Sequence, residues 1–463
     1  MVPDMHRYDP EMDELAAAVF AFARQRARAD LAPGGVQLGK PQSPEALDAA
    51  AGATVTPAGI GGREALRIFT DVLEPACLSV DYPRYLAFVP AAPSEVSILA
   101  DLVVSACSIY AGSWLEGGGA VWAENQALRW LAVLAGLPAS AGGVFVAGGT
   151  NGNLSALVAA RNAAAAELAA TGGARPARWA IVTSAGAHSS VATAADVMDA
   201  DLVEIPGDRL TGESLRTALA GLDPAGIAAV VATAGTTNLG LVDDLAGVAA
   251  ACQQHDLWLH VDGDYGGAAL AAPSARRRFD GIEHADSLVV DPHKWLFAPF
   301  DVCALLYRNP VLGRAAHVQH AAYLDVLYGD AWNPSDYAVH LTRRARGVPF
   351  WFSLAAHGTD AYAAAVERCL SVAHEGAALV RAASHLELVA EPELSVVAFR
   401  RTGWSGEDYV AWSDRMLQAG EAFVVPSSHG GEPMLRLCVV NPRTTVEDIG
   451  AIVDSLAADT VGA

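Results

Sequence analysis

Residues 287–297 read S-L-V-V-D-P-H-K-W-L-F, an apolar run that stops at Asp291 with Pro292, His293 and Lys294 directly behind it. Four similar runs precede it, Gly143 to Val146, Ala180 to Thr183, Ala228 to Thr233 and Leu257 to Asp262, and Ala- and Leu-rich stretches of helical period separate them. Short continuous apolar runs are the pattern of strands buried on both faces. Their alternation with helices predicts βαβ units, and so an α/β fold around a mostly parallel central sheet with helices on both faces. Such sheets bind ligands beyond the carboxyl ends of their strands, and the polar residues of interest here follow the runs.

Composition agrees with a large buried core. The chain has 463 residues, 52% apolar and 18% charged, enough for roughly two or three domains. The 30 Lys and Arg against 52 Asp and Glu leave a net charge of −22, which repels phosphate backbones and anionic lipid surfaces, so neither nucleic acid nor membrane is an expected partner. Cys77, Cys107, Cys252, Cys303, Cys369 and Cys438 form no C-x-x-C pair. No metal site or disulfide framework is expected, and a reduced cytoplasm fits. The apolar patch Leu15 to Ala23 is too short and too charged at its flanks for a secretory signal. No stretch approaches the roughly 18 apolar residues of a membrane span.

Three regions are expected. Residues 1–85 read as an N-terminal helical arm, with Met12, Leu15, Val19, Phe20 and Phe22 near helical spacing, an irregular segment over 31–62 and a helix around Glu64 to Glu74. Residues 86–350 carry the strand–helix alternation. Residues 351–463 read as a smaller α+β domain, with helices over Ala361 to Leu370 and Asp408 to Ala419 and strands over Ser395 to Phe399 and Met434 to Val440.

The chemistry lies at the strand ends. A lysine leaving a buried strand can be desolvated, and its pKa then falls towards that of the neutral amine which attacks an aldehyde to form a Schiff base. A surface lysine beside a histidine is the plain alternative for Lys294. Thirty-two residues earlier, D-L-W-L-H-V-D ends on Asp262, a carboxylate costly to bury without a partner. A protonated pyridine nitrogen is one such partner and keeps a cofactor ring cationic; a cap on the following turn is the other reading. In G-V-F-V-A-G-G-T-N-G-N-L-S-A-L a glycine-rich turn joins a strand to a helix, which can receive a phosphate at Gly149 and Thr150. Glycine turns before helices are also common without one. T-S-A-G-A-H-S-S-V offers His188, either as a ring to lie flat on an aromatic cofactor or as a structural histidine.

Together these residues resemble the group II decarboxylases that use pyridoxal 5′-phosphate (PLP), the family of aromatic-L-amino-acid, histidine and glutamate decarboxylases. The resemblance is densest from Tyr82 to Phe352 and includes H-V-D, P-H-K-W, A-H-S-S-V, A-G-T-T, the glycine-rich turn and the spacing from Asp262 to Lys294. It implies the PLP-dependent transferase fold type I, similar to aspartate aminotransferase. It also implies PLP on Lys294 as a Schiff base, Asp262 on the pyridine nitrogen, His188 stacked on the ring and Thr237 near the phenolic oxygen. Gly149, Thr150, His293 and Asp291 are expected around the phosphate or the substrate carboxylate. The family's mobile loop carries a tyrosine that returns a proton to the substrate carbon. W-N-P-S-D-Y-A-V-H makes Tyr337 its counterpart here, with an ordinary loop tyrosine as the alternative. The family is a homodimer whose N-terminal segment wraps the partner. Tyr85, Phe88, Pro90 and Trp114 form the expected substrate wall, and their uncharged, aromatic character favours an apolar or aromatic amino acid over glutamate.

Two departures stand out. Where the family usually has two alanines after the aspartate, this chain has Gly263 and Asp264. If the strand stays extended, Asp262 and Asp264 share a face and a second carboxylate lies near the ring; if the chain turns, Asp264 goes to another partner. F-V-P-A-A, Phe88 to Ala92, also lacks a hydroxyl that aromatic decarboxylases often carry after the proline. The competing readings are an aldehyde synthase or aminotransferase of the same fold, and a non-catalytic scaffold disabled by Asp264.

Overall fold

Seven strands form the central sheet: β1 (Gly142–Val146), β2 (Ala180–Ser184), β3 (Asp201–Ile205), β4 (Ile227–Thr233), β5 (Leu259–Asp262), β6 (Ser287–Val290) and β7 (Cys303–Tyr307). The computed structural model describes residues 6–31, 35–319 and 331–457. Strand order is β1-β7-β6-β5-β4-β2-β3. β7 runs antiparallel to both neighbours, and the pairs from β6 to β3 are parallel. All five expected runs are strands. β3 and β7 were not expected. β3 is an edge strand with Asp201 and Glu204 among its five residues, too polar to read as a buried run. β7 is wholly buried, but the link from β6 carries only the short helix Pro292–Trp295, so the chain returns antiparallel rather than crossing over.

A second, antiparallel sheet has the order β10-β11-β9-β8, with β8 (Leu386–Ala390), β9 (Val396–Arg401), β10 (Pro426–His429) and β11 (Glu432–Cys438). Helices Thr359–Ala382 and Gly406–Gln418 pack on it. One apolar cluster runs from Val230, Val261 and Leu288 of the central sheet to Val397, Phe399 and Leu437 of the small one. Tyr265 helps join them, its hydroxyl 2.6 Å from Ser395 Oγ. Residue 350 lies inside helix Val348–His357, which packs on helices Glu95–Cys107 and Trp114–Leu134. The N-terminal helix Pro10–Ala27 starts where the Asp9 side chain accepts the Met12 N–H and a proline occupies the first turn; none of its residues is buried.

The placement that matters most is helix Gly149–Ala170, which follows β1 after a glycine turn and packs across β4, β5 and β6. Its buried face includes Asn153, Ala156, Leu157 and Ala160. Side chains alternate along a strand, so His260 and Asp262 of β5 share a face, and Asn153 of the helix hydrogen-bonds to both. No helix among the described residues is long and apolar enough to cross a membrane.

Candidate active site

Asp262 ends β5, and Lys294 follows the adjacent parallel strand β6 at the same, carboxyl edge of the sheet. Asp262 is 4% exposed, and both its oxygens are held: Asn153 Nδ2 donates to Oδ2 at 2.9 Å, and the Asp264 backbone N–H donates to Oδ1 at 3.1 Å. The second bond resolves the two readings of Asp264. The chain turns directly after Asp262, and the Asp264 carboxylate reaches Lys294, with Oδ2 at 3.5 Å from Nζ. Asp291, at the start of the short helix that carries the lysine, lies closer, with Oδ2 at 2.9 Å from Nζ.

This arrangement corrects the expected pKa of the lysine. Burial of Lys294 lowers it, but Asp264 and then Asp291 raise it by more, and the net shift is upward. Lys294 Nζ thus lies between the carboxyl groups of Asp264 and Asp291. Burial, then Asp291, pushes Asp264 the other way, well above the usual carboxylate range, with Lys294 only partly opposing.

Asp264 also crosses to the glycine turn. A Cβ on Gly149 would meet Asp264 Oδ2 at 1.4 Å, so glycine at 149 is what lets this carboxylate lie against the start of helix Gly149–Ala170. The first N–H groups of a helix have no partner within it, and Gly149 and Thr150 contribute two of them. Gly149 is buried and Thr150 exposed. His188 is exposed at the N-cap of helix Ser189–Val197. It borders a cleft with Thr236 and Thr237 on one side and Ser428 and His429 of the small sheet on the other. His293 is 8% exposed; its Nδ1 lies 2.8 Å from the Val302 carbonyl, and its Nε2 is 3.6 Å from Asp291.

The expected substrate wall is only partly brought together. Tyr85 and Phe88 both make edge contacts with Phe423, at 5.0 and 5.9 Å between centroids. Phe88 holds a left-handed backbone at φ 53°, and its carbonyl accepts from buried Arg436 at 2.8 Å. Pro90 is buried nearby in sequence. Trp114 instead begins helix Trp114–Leu134, with its N–H on Asn333 Oδ1. Among the described residues no ring contact joins it to Tyr85 or Phe88.

Tyr337 is not on an open loop. It is 6% exposed, stacked on Trp332 at 4.1 Å, and its carbonyl accepts from Tyr307. Burial pushes its hydroxyl up to about 12. The aromatic stack and the apolar neighbours Val144, Leu305 and Tyr307 make it a core residue in this structure, which corrects the expectation of a mobile proton donor.

Of the residues that contact this site, Asn153, Ser190, His260 and Ser287 lie inside the quoted runs without being singled out there, and Phe423 and Arg436 lie outside them. For Asn153 a weak signal exists, since asparagine is a poor helix former set among Ala and Leu at a buried position. For His260 it is the two-residue spacing to Asp262.

The chain matches the model of the pyridoxal-dependent decarboxylase conserved domain over residues 64–402. It is 32% identical over 403 residues to an aromatic-L-amino-acid decarboxylase of Bacillus atrophaeus, covering 82% of this chain and 81% of that one. It is 31% identical over 400 residues to an L-2,4-diaminobutyrate decarboxylase of Rhizobium meliloti (strain 1021), covering 81% and 78%. Its fold is similar to a crystal structure of Oryza sativa TDC with PLP and tryptamine, with TM-score 0.88 and 24% identity over 98% of this chain and 100% of that one. That likeness shows the PLP-transferase fold.

The donor set suits PLP. A carboxylate, an amine, an imidazole and a helix N-terminus are assembled beyond the ends of β1, β2, β5 and β6. Two buried oxygens there, Thr233 Oγ1 beside Asp262 in the β4–β5 register and Asp291 Oδ1, have no hydrogen-bond partner among the described residues. The chain belongs to the family of pyridoxal-dependent decarboxylases, enzymes that remove the carboxyl group of an amino acid with PLP as cofactor.

Proposed function

We propose that the substrate is an L-amino acid with an aromatic or apolar side chain, and that Lys294, Asp262 and His188 hold the cofactor. The observation that carries the assignment is the pairing of Asp262 and Lys294 at the ends of neighbouring strands, with the glycine turn at Gly149 beside them. When bound, PLP supplies an electron sink for the bond that breaks at Cα.

The chain's own residues do the rest. Lys294 would hold the cofactor through its side-chain amine. Asp262, fixed through both oxygens, would keep a proton on the ring nitrogen. His188 and Thr237, which line one cleft, would hold the cofactor from its ring face and its phenolic edge. The N–H groups of Gly149 and Thr150, with His293, receive the phosphate, and Asp291 positions Lys294. Tyr85, Phe88 and Phe423 supply an aromatic wall, and the Bacillus atrophaeus relative supports that side-chain class. A homodimer and a cytoplasmic location are part of the same reading, supported by exposed apolar helix faces and six free cysteines.

The test is a visible absorption spectrum with added PLP for wild type and Lys294→Ala, followed by CO2 and amine assays. The assays cover tryptophan, tyrosine, phenylalanine, leucine and 2,4-diaminobutyrate. A Lys294-dependent band with equal yields of CO2 and amine from an aromatic or aliphatic substrate is expected. An unchanged band in the variant sinks the lysine assignment, and no band in wild type favours a scaffold. Ammonia and peroxide in place of amine indicate an aldehyde synthase. Selective turnover of 2,4-diaminobutyrate overturns the apolar substrate class and points to Asp264 as the group that selects a cation.

A further inference from the structure

A hydrogen-bonded chain runs through the layer between the central sheet and helix Gly149–Ala170, and donors that cannot accept bound it at both ends. At one end Trp258 Nε1, an indole N–H that can only donate, is 2.9 Å from Ser287 Oγ. Ser287 is fully buried, and its hydroxyl has one further side-chain partner among the described residues, His260 Nδ1 at 2.8 Å. Only donation to that nitrogen leaves no buried hydroxyl proton unpaired. His260 therefore carries its proton on Nε2 and donates to Asn153 Oδ1 at 2.9 Å. Burial above all pushes His260 down to about 4, consistent with a single ring proton.

With Oδ1 of Asn153 accepting, both hydrogens of its Nδ2 point away from His260. One meets Asp262 Oδ2 and the other Ser190 Oγ, each at 2.9 Å. A carboxylate can only accept, so this amide orientation is required from that side as well. At the far end the Ser190 backbone N–H lies 3.2 Å from His188 Nδ1 and the Ser190 hydroxyl lies 2.8 Å from it. A backbone N–H only donates, so Nδ1 of His188 is the acceptor and the ring proton sits on Nε2. The two ends fix the same direction independently. Asn153 and His260 are fully buried and Ser190 is 2% exposed, so water does not replace these partners.

We propose that Asn153 is a positioning residue that ties the Asp262 carboxylate to the His188 ring: by donating to Ser190 Oγ it turns the Ser190 hydroxyl proton onto His188 Nδ1, the nitrogen that the Ser190 backbone N–H already marks as the acceptor. The proposal rests on the assignment of Asp262 and His188 to the cofactor. It adds that the group under the ring nitrogen and the group over the ring face are aligned by one amide. Of the side chains in this chain of bonds, Asn153 touches three others and is the point at which the branches meet.

The experiment uses long-range 1H–15N NMR of the histidine rings in the full-length protein without PLP, with His188 identified by the signal lost in His188→Gln. Wild type is expected to show His188 bare at Nδ1 and protonated at Nε2. Asn153→Leu, of similar size, is expected to shift the His188 ring signals, because the Ser190 hydroxyl proton is no longer held on Nδ1, and to weaken PLP binding about tenfold or more, the size expected when a buried partner loses its hydrogen bond. Ser190→Ala, a milder change that leaves Asp262 anchored, is expected to perturb the His188 signal while PLP binding falls less than in Asn153→Leu. His188 protonated at Nδ1 in wild type overturns the proposal. So does an unaltered His188 signal in both variants. Because the tautomer is read without cofactor, its failure is separate from failure of the PLP assignment, which the Lys294-dependent band reports.

Discussion

Asp264 is the residue whose environment departs furthest from what its position demands. A carboxylate lies against a helix start that favours anions, yet it faces Asp291 and a cation it helps to create. Its effect on Lys294 has a definite sign. Removing a carboxylate that raises the lysine's pKa increases the fraction of free amine at neutral pH, by tenfold for each unit. Asp264→Ala is therefore expected to form the PLP band about tenfold faster than wild type in stopped-flow absorbance. A slower reaction would show that Asp264 assists loading instead. The same carboxylate couples to Gly149. Gly149→Ala drives a methyl group into Asp264 Oδ2 and is expected to weaken PLP binding at least tenfold in wild type but little in an Asp264→Ala background. A double-mutant cycle measures that coupling, on the order of 1–2 kcal/mol; additive effects would mean that the clash is relieved elsewhere.

At the scale of elements, the walls of the site depend on a buried ion pair away from the chemistry. Glu124, on helix Trp114–Leu134, takes two bonds from Arg343 at 2.7 and 2.8 Å and one from the Gly347 N–H. Arg343 then donates to the carbonyls of Ala111 and Phe145, the latter in β1. One pair thus fixes the helix, the strand before the glycine turn and the segment entering helix Val348–His357. The side chains are 1% and 3% exposed, so truncating one partner strands a charge. Glu124→Ala is expected to cost about 3–5 kcal/mol in denaturant unfolding. A loss below about 1 kcal/mol would show that water reaches Arg343. Other elements were readable locally: β6 ends where the apolar run ends, and the glycine turn opens a helix as its composition predicts. β3 was not, because an edge strand needs no continuous apolar run.

For the whole molecule, some of the exposed apolar residues gather on one layer of helices. Leu99 and Val103 on helix Glu95–Cys107, Trp122 on helix Trp114–Leu134 and Phe352 on helix Val348–His357 are 46–63% exposed, on three helices that pack together. This is the surface on which the proposed homodimer would form, since apolar patches of this kind favour association. Sedimentation is expected to give a dimer for wild type and a monomer, or a dimer at least tenfold weaker, for Val103→Glu. A monomeric wild type at micromolar concentration would remove the homodimer from the proposal.

The sequence by itself determined the strand–helix alternation, the ends of the strands and the identities of Asp262 and Lys294 as the groups placed there. These follow from runs of a few residues, in which burial and turn chemistry are local. Only the tertiary structure decided what those groups meet. Asn153 reaches Asp262 across 109 residues of chain and His260 across 107, and Lys294 finds Asp264 only after the chain turns beyond β5. The same holds for Tyr337, whose stacking on Trp332 and burial against β1 and β7 outweigh the loop-like composition around it. Local pattern records which residues leave a strand; the pKa, tautomer and partner of each depend on packing between segments that share no local pattern.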